Sequence, residues 1–236
     1  MQDGAPRGVL LLWLGAWAIV LGAEAGGLTR YLDHDALLHS GTPAWTGVIL
    51  FLTGWLVMVA AMMLPATRPA LGQIRGRAGG PSSAMVGGYL AGFALTWVLA
   101  GSAALGFDMM VHRAVDAVPP LGARPWLVLV ALLAAAGAVQ LAPSTRRKLD
   151  AARRPDGNTA TTVPPFAVGR LHGVRCLRVD GPLMLVMFAL GGSLGAMAIL
   201  TAVMAGERSS LKGDRVATLA GLVLVAASVL LALSHV

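Results

Sequence analysis

Two methionines spaced four residues apart are the side chains of this sequence best suited to soft-metal chemistry. Met58 and Met62 lie in the stretch WLVMVAAMMLP, which runs from Trp55 to Pro65. A helix would place the two thioethers one turn apart on the same face, and thioether sulfur is a ligand that suits Cu(I). Methionine is also a flexible packing residue, and the chain has 11 of them. The spacing therefore leaves a metal ligand and a core residue both open.

The other potential donors give no complete site. Cys176 is the single cysteine, which excludes an internal disulfide and any paired-cysteine zinc or redox motif. A second group has suitable donor types for a divalent metal but matches no fixed ligand spacing: Asp33, His34, Asp35 and His39. No nucleotide-binding loop and no nucleophile, base and acid in recognisable spacing occur. We therefore expect a protein that is not an enzyme.

Six long apolar stretches must position these side chains. They lie near residues 9–28, 44–64, 84–107, 125–142, 182–204 and 216–234. Each is long enough to cross about 30 Å of hydrocarbon as a helix. Residues 1–236 are 56% hydrophobic and 12% charged, a composition typical of a protein surrounded by lipid. The sequence predicts an all-α polytopic membrane protein, a single transmembrane domain of six helices.

The distribution of the 18 lysines and arginines predicts the orientation. An even number of spans puts both termini on one side, together with loops 65–83 and 143–181, and that side carries twelve cations against six. Both termini are therefore expected in the cytoplasm, with the chain in a bacterial inner membrane. The dispersed basic residues do not suggest nucleic-acid binding. The first stretch also resembles a signal peptide ending near Ala23-Glu24-Ala25, so its cleavage stays open.

Ordered short motifs give the chain a resemblance to a known family. Residues 55–65 match a W-x-x-M-x-x-A-M-M-x-P pattern, Gly88-Tyr89-Leu90 follows, and residues 136–143 are close to A-G-x-Y-Q-L-x-P. His172–Cys176 then matches H-G-x-x-C, and Leu183-Met184 matches L-M. Over about residues 55–207 the chain resembles the predicted metal-binding integral membrane proteins catalogued as domain of unknown function 2182. One branch of these looks like a copper-delivery protein for a bacterial tyrosinase.

The resemblance implies a ligand set, and the departures from it weaken that set. Lys148 and Ala152 stand where the family has cysteines, and Val179 and Asp180 replace a further cysteine pair. Either copper is bound more weakly by the remaining donors, or the scaffold is kept without metal. The six-span arrangement would place the implied donors at the cytoplasmic face. The implied metal ligands are Met58, Met62, His172 and Cys176, with Gln140 and Met184 as secondary candidates.

These observations favour a membrane metal-handling protein, a copper accessory or delivery protein with a degenerate ligand set. Its cargo would be Cu(I), and its partners the lipid bilayer and a copper-dependent or other membrane or exported protein. The alternative is a structural or interaction subunit that packs with partner membrane proteins without metal. A small-solute transporter is the weakest interpretation, because the sequence shows no inverted repeat and few intramembrane polar groups.

Overall fold

The computed structural model describes residues 7–27, 43–67, 70–71, 83–118, 124, 126–145, 147, 149, 163–190, 193–209 and 213–235. All the regular structure in these residues is helical, which confirms the all-α prediction. The described helices are α1 (Arg7–Ala25), α2 (Ala44–Met63), α3 (Ser83–Ala117), α4 (Trp126–Leu141), α5 (Pro165–Ala189), α6 (Leu194–Ser209) and α7 (Gly213–Leu233). A 3-10 turn, Leu64–Thr67, continues α2. The candidate loop site at residues 33–39 lies outside the described residues.

Four of the described helical segments are long and apolar enough to cross a membrane: Arg7–Ala25, Trp45–Thr67, Ser83–Val115 and Gly213–Leu233. Trp126–Leu141 is apolar but shorter. These segments agree with five of the predicted spans, although α3 continues to Ala117, ten residues beyond the predicted end. The count of six transmembrane helices is not confirmed. The chain divides into two compact units, Met1–Gly101 with Ala152–Leu177, and Ser102–Ala151 with Arg178–Val236.

In the first unit, glycines bring α3 and α5 into direct backbone contact. A side chain at Gly92 would overlap the carbonyl of Phe166, and one at Gly169 would overlap the carbonyl of Tyr89. Farther along, Gly173 packs against Thr96. Small residues allow such close approach between membrane helices. Gly88 lies against Pro165 at one end of the contact and Thr96 against Gly173 at the other, so α3 and the start of α5 run parallel.

In the second unit, α4 packs against α7 through another close glycine contact. Gly137 lies against the backbone of Gly221 and against Val225, while Gly221 also contacts Leu141. Residue numbers run in opposite directions here, so these two helices are antiparallel. Leu133 and Ala136 of α4 join Val186 of α5 in a small buried apolar cluster. Unit two is thus held by close backbone packing and a core contributed by three helices.

The predicted fifth span, residues 182–204, is wrong. Helix α5 ends at Ala189 and α6 begins at Leu194, and the guanidinium of Arg208 on α6 forms an ion pair with Asp180 on α5. These residues are 28 positions apart, which would separate them by about 42 Å along one straight helix. The chain must therefore reverse direction between them. Hydropathy alone predicts one continuous span here because both arms of the reversal are apolar.

Candidate metal site

The methionine stretch forms the last turns of α2. Met62 is 3% exposed, Met63 is fully buried and Met58 is partly buried. The helix ends in the 3-10 turn that contains Pro65, which has no amide hydrogen to donate to the carbonyl of Ala61. That carbonyl instead accepts the indole N–H groups of Trp13 and Trp17 on α1, both at 2.9 Å. Met62 and Met63 are thus held in closely packed surroundings.

His172 and Cys176 lie one turn apart on α5. We expected both in a loop, and that part of the expectation is wrong, because residues 165–189 form one continuous helix. The histidine ring contacts Tyr89 and Phe93 of α3, with centroids 6.0 and 5.8 Å away. Cys176 is only 1% exposed. Burial follows from the close α3–α5 contact made at Gly169 and Gly173, which lie on the same side of the helix.

Helix α3 contacts both helices that carry the candidate metal ligands, α2 and α5. Trp55 of α2 donates to the carbonyl of Trp97 at 2.8 Å, and Leu64 at the other end of the methionine stretch shares an apolar cluster with Tyr89. His172 contacts Tyr89 as well. Helices α2 and α5 therefore both pack against the same stretch of α3, residues 89–97.

The shared cluster also shows that four helices meet next to the donors. Its buried members are Val9, Leu64, Leu71 and Tyr89. Ala60 of α2, two residues before Met62, packs against it, and so does Val168 of α5, four residues before His172. The four first-line candidates, Met58, Met62, His172 and Cys176, all belong to the first compact unit.

Donor chemistry restricts what could be held there. Within the described part of the chain, no three His, Cys, Asp or Glu side chains come together in a cluster that could hold a metal ion. A site built from these residues must draw on methionine sulfur. Two thioethers, one imidazole and one thiolate suit Cu(I), whereas structural zinc sites use four cysteine, histidine or carboxylate ligands.

The two secondary candidates, Gln140 and Met184, lie in the second compact unit. Gln140 of α4 is 2% exposed, and its side-chain amide donates to the Glu207 carboxylate at 3.3 Å. Met184 of α5 is buried. The amide nitrogen of Gln140 is thus engaged with a carboxylate of α6, a contact that gives this residue a structural role of its own.

Sequence reasoning missed this second polar group. Asp180 and Glu207 are both fully buried, and they are held by Arg208 and Gln140 respectively. The predicted topology had put Arg208 and Glu207 across the membrane from their partners. The sequence Gly191-Gly192-Ser193, typical of a turn, was the available signal that the chain reverses between them.

These features define a class, an all-helical protein with long apolar helices and with sulfur and imidazole side chains in buried or partly buried positions. The chain belongs to the PpoB2 family of copper chaperones, whose family model matches residues 52–231. This match confirms the resemblance to a copper-delivery family. The matched region includes α3 to α6, nearly all of α7 and most of α2, but not α1. No curated protein and no solved structure matches the chain.

Proposed function

We propose that this protein is a multi-pass inner-membrane copper accessory protein that accepts Cu(I) and delivers it to a copper-dependent membrane or exported protein. The cargo would be held by Met58, Met62, His172 and Cys176. The observation that supports the proposal is that the two helices that carry these residues, α2 and α5, both pack against the same stretch of α3. Family membership supplies the metal.

The donor set suits transfer rather than permanent storage or catalysis. Thioether and imidazole ligands are uncharged, so a single thiolate, Cys176, would balance the charge of Cu(I). A site with few strong ligands releases its ion readily to a partner that offers more of them. Burial among apolar side chains would keep water and oxidants away from both the metal and the thiolate. We therefore propose delivery without a catalytic step.

The ion pair of the second unit supports a reduced ligand set. Asp180 occupies a position where the resemblance implies cysteine, and it pairs with the cation Arg208. An aspartate held by a guanidinium is a poor soft-metal ligand. Copper binding would then depend on the four donors of the first unit, whose affinity should be lower than that of a cysteine-rich site.

Copper retention in variants tests this proposal. Wild-type protein loaded with Cu(I) and dialysed against a competing chelator should keep about one copper per chain and should prefer Cu(I) to Zn(II). Cys176→Ser removes the only thiolate and should lose most of the copper, while Met63→Leu, one position from Met62 on another face, serves as the matched control.

Two outcomes would go against copper handling. Equal, near-zero copper in the wild type and both variants would leave the alternative function, an interaction subunit that packs with other membrane proteins. Equal, full retention in all three would show that copper binds elsewhere in the chain. Metal analysis by mass spectrometry on detergent-purified protein gives the readout.

A further inference from the structure

Pro65 deprives one carbonyl of α2 of its helical partner. In an α-helix the N–H of each residue donates to the carbonyl four positions earlier, so position 65 would serve Ala61. Proline has no N–H, and a buried carbonyl without a donor is costly. Ala61 is itself fully buried. The sequence thus creates a defect in α2 directly beside Met62.

Two tryptophans of α1 fill that defect. The indole N–H groups of Trp13 and Trp17 both donate to the Ala61 carbonyl, at 2.9 Å each. The two residues are four positions apart, so their rings lie on one face of α1. Trp13 also packs against the apolar cluster that contains Leu64 and Tyr89. Two donors on one acceptor fix both the rotation of α2 about its axis and its position along α1.

The anchored carbonyl lies between the two candidate sulfur ligands. Met58 is three residues before Ala61, and Met62 follows it directly. A rotation of α2 by one residue, about 100°, would move both thioethers away from their present directions. The contact that fixes this rotation comes from a helix outside the region matched by the family model.

We propose that Trp13 and Trp17 are positioning residues for copper, which hold α2 so that Met58 and Met62 can act together as ligands. The inference rests on the proposed copper function. It assigns α1 a task beyond membrane anchoring. It also explains why a proline is compatible with the end of a helix that must present two thioethers in fixed directions.

A double-mutant cycle with Pro65 tests the proposal. The variant Trp13→Phe/Trp17→Phe keeps an aromatic ring at each position but removes the two indole N–H donors. We expect this variant to have a Cu(I) dissociation constant about tenfold higher than that of the wild type, because loss of hydrogen-bond partners that orient metal ligands weakens metal binding by about this factor. Competition with a chromogenic chelator measures the constant. Pro65→Ala supplies an N–H that can donate to Ala61. In that background the same tryptophan changes should raise the dissociation constant much less.

A control variant and a measurement on the copper-free protein distinguish a specific effect of the indole donors from a general loss of stability. Trp45→Phe alters an exposed tryptophan at the start of α2 and should leave copper affinity unchanged. The melting temperature of the copper-free protein should fall in Trp13→Phe/Trp17→Phe and fall less in the Pro65→Ala background. Equal falls in both backgrounds would overturn the role assigned to the indole donors.

Copper results separate the two proposals. Wild-type affinity in Trp13→Phe/Trp17→Phe would overturn the positioning role while copper handling stands. A wild type that binds no copper would overturn copper handling and positioning together, and the melting temperatures would still decide whether the indoles anchor α2.

Discussion

A reporter fused after Val236 should register on the opposite side of the membrane from one fused at the N-terminus. The expectation of two cytoplasmic termini depended on a fifth span that the Asp180–Arg208 ion pair contradicts. Because the chain reverses between α5 and α6, we expect the start of α7 on the same side of the membrane as the start of α5. Helix α7 then carries the C-terminus across to the other side.

The cation distribution agrees with this arrangement. With the reversal, the sequence assigns twelve cations to the N-terminal side: Arg7, Arg68, Arg75, Arg77, Arg146, Arg147, Lys148, Arg153, Arg154, Arg208, Lys212 and Arg215. Three flank the opposite ends: Arg30, Arg113 and Arg124. The remaining three lie on α5. This asymmetry is stronger than the twelve to six of the six-span arrangement, and we therefore still expect the N-terminus in the cytoplasm.

Paired reporters, a phosphatase active outside the cytoplasm and a fluorescent protein that matures inside it, give the measurement. A third fusion near Gly157 should report the cytoplasm in either arrangement and serves as the control. Reporters at the two termini that agree with each other would restore the even number of spans and refute the chain reversal.

Breaking the buried ion pair should cost more stability than any surface change. Asp180 is fully buried, and removing Arg208 would leave its charge uncompensated. Arg208→Ala or Asp180→Ala should each lower the free energy of unfolding by about 3–5 kcal/mol. The double change Asp180→Leu/Arg208→Met should recover much of the loss, because apolar residues of similar volume can replace a buried pair.

A surface pair offers the matched control. His112 and Asp108 on α3 lie 3.3 Å apart, and the histidine side chain is 49% exposed. His112→Ala should change the free energy of unfolding by less than about 1 kcal/mol. Denaturant titration in detergent, followed by circular dichroism, measures all the variants. Single changes at Asp180 and Arg208 as mild as the control would mean that the pair does not hold α5 to α6.

The length of the apolar segments made most of the fold predictable, but it did not predict the reversal between α5 and α6. Helices α1, α2, α4 and α7 follow the predicted stretches closely, because a long apolar segment in lipid has few alternatives to a helix. Hydropathy did not predict this reversal, because averaging over a window hides the few residues between two apolar segments. A count of Gly191-Gly192-Ser193 as a turn would have divided the stretch.

The types of residue in the candidate site could be predicted from the sequence, but their buried environment could not. The arginines at positions 170, 175 and 178 suggested a solvated loop around Cys176. They lie on a continuous helix whose other side is buried at Gly169, Gly173, Cys176 and Asp180. That helical spacing of buried positions was present in the sequence, but an aspartate and two glycines do not register as an apolar face. The anchoring of Ala61 by α1 could not be predicted, because it joins residues more than 40 positions apart.

X-ray absorption at the copper edge of Cu(I)-loaded protein tests the central claim most directly. We predict a first shell dominated by sulfur, with an imidazole contribution from His172, and a reduced sulfur contribution in Cys176→Ser at equal copper loading. A shell of oxygen and nitrogen alone, or a spectrum unchanged by Cys176→Ser, would contradict a copper site built from Met58, Met62, His172 and Cys176.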